Sequence, residues 1–198
     1  MRVKTDARRR AITTTAWEAF RENGFERTTM SEISDRVGGS KATLYSYFKS
    51  KEELFAAAVQ QAMAARSDEA FERVTGAGDL AERLTGFARS YLEARLTPDL
   101  ISLERALMSE ADRSDLGEIV RAQFIVPQWR RLAAVLEQEM VAGRLRRGAP
   151  YTATQHFRGL IEADIIERRM HGDRTVTSEQ IEGAIKAGVE AFLRAYAP

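Results

Sequence analysis

Cysteine is absent from the 198 residues. That excludes a disulfide scaffold, thiol catalysis and any thiolate metal site. Histidine is almost as scarce, with only His156 and His171. Neither belongs to an HExxH pair or another metal-ligand spacing, so no metal or cofactor site is expected. Serines lack a nearby base, and no glycine-rich phosphate loop is present, so no enzymatic constellation is assembled. The apolar runs, such as Ala56–Val59 and Phe124–Pro127, fall far short of the ~20 residues of a membrane span. The start, MRVKTDARRR, has no apolar core behind its basic residues, so a secretory signal is not expected. These absences lead to the expectation of a soluble, cytoplasmic, non-enzymatic protein without membrane partners.

Proline is limited to Pro98, Pro127, Pro150 and Pro198, and no run of alternating β-branched residues suggests a sheet. The chain reads as helix nearly throughout. Thr5 or Asp6 caps a helix whose apolar face is Ile12, Ala16, Trp17 and Phe20, and Asn23-Gly24 ends it. Thr28 or Thr29 caps a second helix to Val37, and Gly38-Gly39 makes a tight turn. Ser40 caps a third, short helix with Leu44 inward. Ser50 caps a fourth, with Glu53 completing a capping box, running to about residue 74. After the break at Thr75-Gly76-Ala77-Gly78, helices are expected at about 79–96, 99–111, 114–125, 127–142, 150–170 and 178–196.

Charge is unevenly placed. Residues 1–54 carry 11 Lys+Arg against 8 Asp+Glu, and the remaining residues carry 19 against 21. A basic head on a slightly acidic body suits a head that meets phosphate. Three short helices with a glycine turn between the second and third form a helix-turn-helix pattern. The third helix would then lie in a major groove, presenting Lys41, Ala42, Thr43 and Tyr45. A cation, a small residue, a hydroxyl and a polar-tipped ring suit base edges and phosphates. Tyr47 and Lys51 flank that face.

These residues carry a resemblance. Arg8–Val59 resembles the DNA-binding domain of the TetR family of transcriptional regulators. The match lies in Ala16–Phe20, Gly24-Phe25, Thr28-Thr29-Met30, Ile33 and above all the run from Ser40 to Leu54. The family usually has an apolar residue where this chain has Gly39, and often glycine where it has Ala42. The resemblance implies that Thr28 or Thr29 bonds a phosphate. Ser40, Lys41, Ala42, Thr43 and Tyr45 would face bases or adjacent phosphates, and Tyr47 and Lys51 would grip the backbone. Residues Leu103–Leu160 resemble a subgroup with an AefR-like C-terminal domain, through Ser109-Glu110-Ala111, Leu116, Ala142–Leu145 and Gln155–Leu160.

In the last helix Ile181, Ile185, Val189, Phe192 and Tyr196 form an apolar stripe beside Gly188, and Gly159 offers a close-approach point on the helix before it. The resemblance implies a homodimer through such helices, although the same stripes could bury the subunit's own core. Large central side chains are candidates for an effector pocket: Phe87, Tyr91, Leu103, Leu107, Met108, Phe124, Trp129, Phe157 and Ile161. Asp164 shares their face by spacing, as anchor or as an ion-pair partner, whereas Glu162 and Glu167 read as solvated.

The expected fold is all-α. It has a helix-turn-helix DNA-binding domain at 1–54 and a helical ligand-binding and dimerisation domain at 55–198, joined by the fourth helix. The expected function is a repressor that binds a palindromic operator in double-stranded DNA as a homodimer and is released by a small apolar or amphipathic effector. A helical architectural protein without specific DNA reading, and a regulator that senses no ligand, are the alternatives.

Overall fold

The computed structural model describes residues 2–110 and 114–198. Among them every regular element is helical: α1 (Arg2–Asn23), α2 (Met30–Val37), α3 (Lys41–Tyr47), α4 (Lys51–Thr75), α5 (Leu80–Arg95), α6 (Pro98–Glu110), α7 (Leu116–Val120), a π-helical turn (Arg121–Ile125), α8 (Val126–Val141), α9 (Pro150–Glu162), α10 (Ile165–Met170) and α11 (Ser178–Ala195). Ala111, which the expected helix 99–111 includes, lies outside the described residues. The helices group into two compact units. The first holds the chain up to Ala64 together with Leu103–Ile125, and the second holds Ala65–Ser102 and Val126–Pro198.

In the first unit, capping chemistry fixes the short helices. Gly24 takes φ +80 after α1, a left-handed conformation that costs glycine little. The Thr29 hydroxyl accepts from the Glu32 N–H and starts α2. Gly38, at φ +69, closes α2, and the turn is tied by the Ser34 hydroxyl donating to the Gly39 carbonyl at 2.8 Å. Ser40 caps α3 by accepting from the Thr43 N–H at 3.1 Å. Ser50 caps α4 by accepting from Glu53 N–H at 3.1 Å, and the Glu53 carboxylate reaches back to the Lys49 N–H at 2.8 Å. Ile12, Ala16, Ile33, Leu44, Phe48 and Leu54 are buried between these helices. Phe20, Phe25 and Phe55 close the core as an aromatic trio, with centroids 4.9–5.8 Å apart.

The second unit is built around α9, which packs on α8 and α11, while α11 also packs on α5. A chain of rings runs through it: Phe71–Phe87 at 5.4 Å, Phe87–Phe157 at 6.3 Å, Phe157–Phe192 at 5.1 Å and Phe192–Tyr196 at 4.7 Å. Gly188 permits the close crossing of α11 over α9. A Cβ there would stand 2.6 Å from the Leu160 carbonyl oxygen. Buried Glu139 is held by Arg83 at 2.7 Å and by Arg144, whose hydrogen bond is the main reason the carboxyl stays below its ordinary pKa.

Three helices differ from the sequence expectation. The first, α1, begins at Arg2, so Thr5 and Asp6 lie within it instead of capping it. The span 114–125 starts as α7 but ends in the π turn. The span 150–170 is broken at Ala163, whose φ of +43 and ψ of −128 are unusual for a residue with a Cβ. No glycine, proline or cap marks the break. It is anchored from both sides, by side-chain bonds to Glu162 before it and by buried Ile165 and Ile166 after it.

Candidate functional site

The α2–turn–α3 segment presents a compact polar face. Leu44 and Phe48 are buried and seat α3 on the core, and the Arg9 guanidinium lies 4.4 Å above the Phe48 ring. With that side fixed, Ser40, Lys41, Ala42, Thr43 and Tyr45 are exposed on the other, and Tyr47 is half-buried at its edge. The Ser40 and Thr43 hydroxyls share a hydrogen bond of 2.9 Å, so one cap organises the start of this face. Such an arrangement offers a cation, two hydroxyls and a phenol on one rigid seven-residue helix.

Two expected contacts are placed differently. The Thr28 side chain is fully buried, and its hydroxyl donates to the Gly24 carbonyl at 2.7 Å and the Ala19 carbonyl at 3.2 Å. It ties the loop to α1 and cannot bond a phosphate, which leaves exposed Thr29 at the α2 cap. The Lys51 ammonium turns back onto the same loop. It donates to the Phe25 carbonyl at 3.0 Å and the Glu26 carbonyl at 3.4 Å and lies 4.1 Å from the Phe25 ring centroid. Its charge is engaged inside the unit.

In the second unit, the rings of Phe87, Tyr91, Trp129 and Phe157 come together, and Ile161, one turn beyond Phe157 on α9, is buried. Phe87 stacks on Tyr91 at 6.2 Å, and the Tyr91 and Trp129 rings meet edge-on at 5.1 Å. Leu103, Leu107 and Phe124 are half-buried members of the first unit, and Met108 there is 67% exposed. Asp164 is also exposed. The break at Ala163 turns it off the face of Ile161, and its carboxylate lies 3.9 Å from Arg168.

The polar centre of this cluster is Glu162, which the spacing had placed in solvent. Its side chain is 15% exposed. Glu162 Oε1 accepts from the Tyr91 hydroxyl and from Arg158 Nε at 2.9 Å, with Arg95 Nε at 3.5 Å. Burial first, and then the neighbouring carboxylate, hold the Tyr91 phenol well above its ordinary pKa, so it stays a neutral donor. The Arg158 guanidinium lies 5.3 Å from the Trp129 ring centroid. The only signal in the sequence was the 155–158–162 spacing on one helix, which reveals a shared stripe but not the partners across from it.

The expected dimer stripe is largely buried within the subunit. Ile185, Gly188, Val189, Phe192 and Tyr196 face the subunit's own core. Tyr196 is further fixed by a 2.7 Å bond between its hydroxyl and His156 Nδ1. Of the expected interface residues, Gly159 is exposed and Ile181 half-exposed, beside Leu160 at 37% exposure. Among the described residues no helix is long and apolar enough to cross a membrane.

Comparison with known proteins agrees with this geometry. Residues 12–58 match the bacterial regulatory proteins of the tetR family, and residues 82–198 match the AefR-like transcriptional repressor C-terminal domain. A TetR-family regulator structure from Mesorhizobium loti MAFF303099 superposes with a TM-score of 0.82 at 26% identity, covering 98% of both chains. The flavonoid-responsive regulator FrrA is 30% identical with a TM-score of 0.72, again over 98% of both chains. The HTH-type transcriptional regulator BetI of Rhizobium meliloti strain 1021 is 31% identical over 109 residues, so the chain spans about half (54%) of that relative's length. With family matches over both the helix-turn-helix head and the helical body, the chain belongs to the TetR family of transcriptional regulators.

Proposed function

We propose that this protein is a ligand-responsive repressor that binds a palindromic operator as a homodimer. The observation that carries the reading is the exposed face of α3, held rigidly by Leu44, Phe48 and the Ser40 cap. Lys41, Ala42, Thr43 and Tyr45 would meet base edges, and Thr29, Ser40 and Tyr47 would position the helix on phosphates. One seven-residue helix reads few bases, and a twofold dimer doubles the site over half-sites about 34 Å apart. The outward side of α9 and α11, with Gly159, Leu160 and Ile181, is the proposed dimer surface.

The aromatic cluster of the second unit is the proposed effector site, and the flavonoid response of the similar FrrA supports an aromatic effector. An effector that prefers the operator-incompetent form tenfold would shift the equilibrium by about 1.4 kcal/mol.

The test is selection of bound duplexes from a random DNA library with the purified chain, followed by salt titration on the enriched sequence. An enriched palindrome, a steep salt slope and weaker binding by Lys41→Ala and Tyr47→Phe are expected. Weak binding to every sequence alike would refute the reading.

A further inference from the structure

We propose that the effector site recognises an aromatic ligand by an anionic oxygen, carboxylate or phenolate, through Gln155 and Arg158 of α9. The inference deepens the ligand-responsive reading and rests on it.

Gln155, Arg158 and Glu162 are spaced by three and four residues, which puts them on one stripe of α9. This stripe is rich in donors. The Tyr91 hydroxyl, Arg158 Nε and Arg95 Nε all converge on a single carboxylate oxygen, Glu162 Oε1. That oxygen is therefore fully engaged, and two guanidinium groups against one carboxylate leave the cluster with a net positive charge. One turn before Arg158, the amide nitrogen of Gln155 is buried and has no hydrogen-bond partner among the described residues. Buried N–H groups are nearly always paired, and an orphan at a functional site calls for an acceptor that arrives when the protein works. The nearest charged donor on the stripe is a guanidinium laid over Trp129, whose fork geometry suits a carboxylate or phenolate. Around it stand the rings of Tyr91, Trp129 and Phe87, with Tyr91 and Trp129 5.1 Å apart. Those rings favour a flat aromatic body, and the donors favour an anionic edge. A metal cation or a quaternary amine would meet like charge instead.

The experiment uses the full chain carrying Trp17→Phe, so that emission comes from Trp129 alone of the two tryptophans. Quenching is titrated with 2-naphthoate, with methyl 2-naphthoate and with 2-methylnaphthalene. The acid is expected to bind at least about tenfold more tightly than the hydrocarbon, because only it supplies a charged acceptor. Gln155→Leu and Arg158→Met should each remove that preference while leaving weak hydrocarbon binding. Leucine at 155 keeps the volume and deletes the orphan donor, so that variant serves if methionine at 158 unfolds the chain. Equal affinity for the three probes, no quenching, or a preference that survives both substitutions would overturn the inference. Release from the selected operator is read separately. Tight, residue-dependent binding without release upholds the site and refutes ligand-controlled release. Release by naphthoate that ignores both substitutions upholds that control and refutes the site.

Discussion

Replacing Gly188 by alanine tests the crossing of α11 over α9. In an ordinary helix interior this change stabilises by about 1 kcal/mol, because glycine loses more backbone freedom on folding. Here the new methyl would stand 2.6 Å from Leu160 O, 2.7 Å from its carbonyl carbon and 2.9 Å from Ile161 N. All three atoms are backbone, so no side chain can swing aside. Restoring an ordinary 3.4 Å contact requires the two helices to part by about 0.8 Å. That opening would loosen Val189 and Phe192 from Phe157 and Ile161, and overpacking of this kind costs ~1–3 kcal/mol or more. The rigid backbone places Gly188→Ala at the upper end, for a net loss of about 1–2 kcal/mol after the helix gain. For a chain of this length that lowers the melting temperature by roughly 2–8 °C. Gly183→Ala, on the same helix with nothing within 4 Å of the added Cβ, should instead raise it. Thermal melts followed by helical circular dichroism at one fixed protein concentration decide the matter, since association also shifts the midpoint. A Gly188→Ala protein as stable as the parent would refute the close crossing.

Two further outcomes are expected. Phe192→Glu should abolish cooperative folding rather than split a dimer, because it places a carboxylate among Phe157, Tyr196 and their neighbours; a well-folded monomer in sedimentation and circular dichroism would contradict this. Asp173 titrates at about 2 rather than its ordinary 3.8, through bonds from the Thr175 hydroxyl and N–H and from Arg168. Its folded pKa is depressed, so its stabilising contribution is present above pH 4 and is lost as pH falls from about 4 to 2. Urea midpoints of Asp173→Asn and the parent should therefore differ at pH 6 and converge as the pH approaches about 2, and a constant gap would show that the carboxylate is not held.

The head was almost fully legible because its boundaries are written in capping residues. Thr29, Ser40 and Ser50 each start a helix by a side-chain bond to a backbone N–H three residues on, and the chemistry is local. Thr28 shows the limit. It and Thr29 are adjacent and chemically alike, and only the core position of α1 decides which hydroxyl is buried. The body was less legible where partners are distant. Phe192 and Ile185 announce an apolar stripe, but nothing in a stripe says whether it meets its own subunit or another. Glu162 looked solvated because its partners Tyr91 and Arg95 come from a helix about 70 residues earlier. The break at Ala163 has no local signature at all. It is imposed by what Glu162 and Ile165 must each reach.

Arg8 and Gly39 show how two positions 31 residues apart can drift as a pair. The missing side chain at Gly39 leaves room that the Arg8 guanidinium occupies, 2.9 Å from where a Cβ would be, while it donates to the Gly38 carbonyl at 3.3 Å. Because the neighbour is the far end of a flexible arm rather than backbone, a larger residue at 39 would displace it cheaply and end its bond to the turn. The turn between α2 and α3 can thus be braced either by a side chain of its own or by an arm from α1, and the sequence is free to exchange one solution for the other. Among relatives, arginine at the position of Arg8 should accompany glycine at that of Gly39 and be released from selection where a bulkier residue follows the turn.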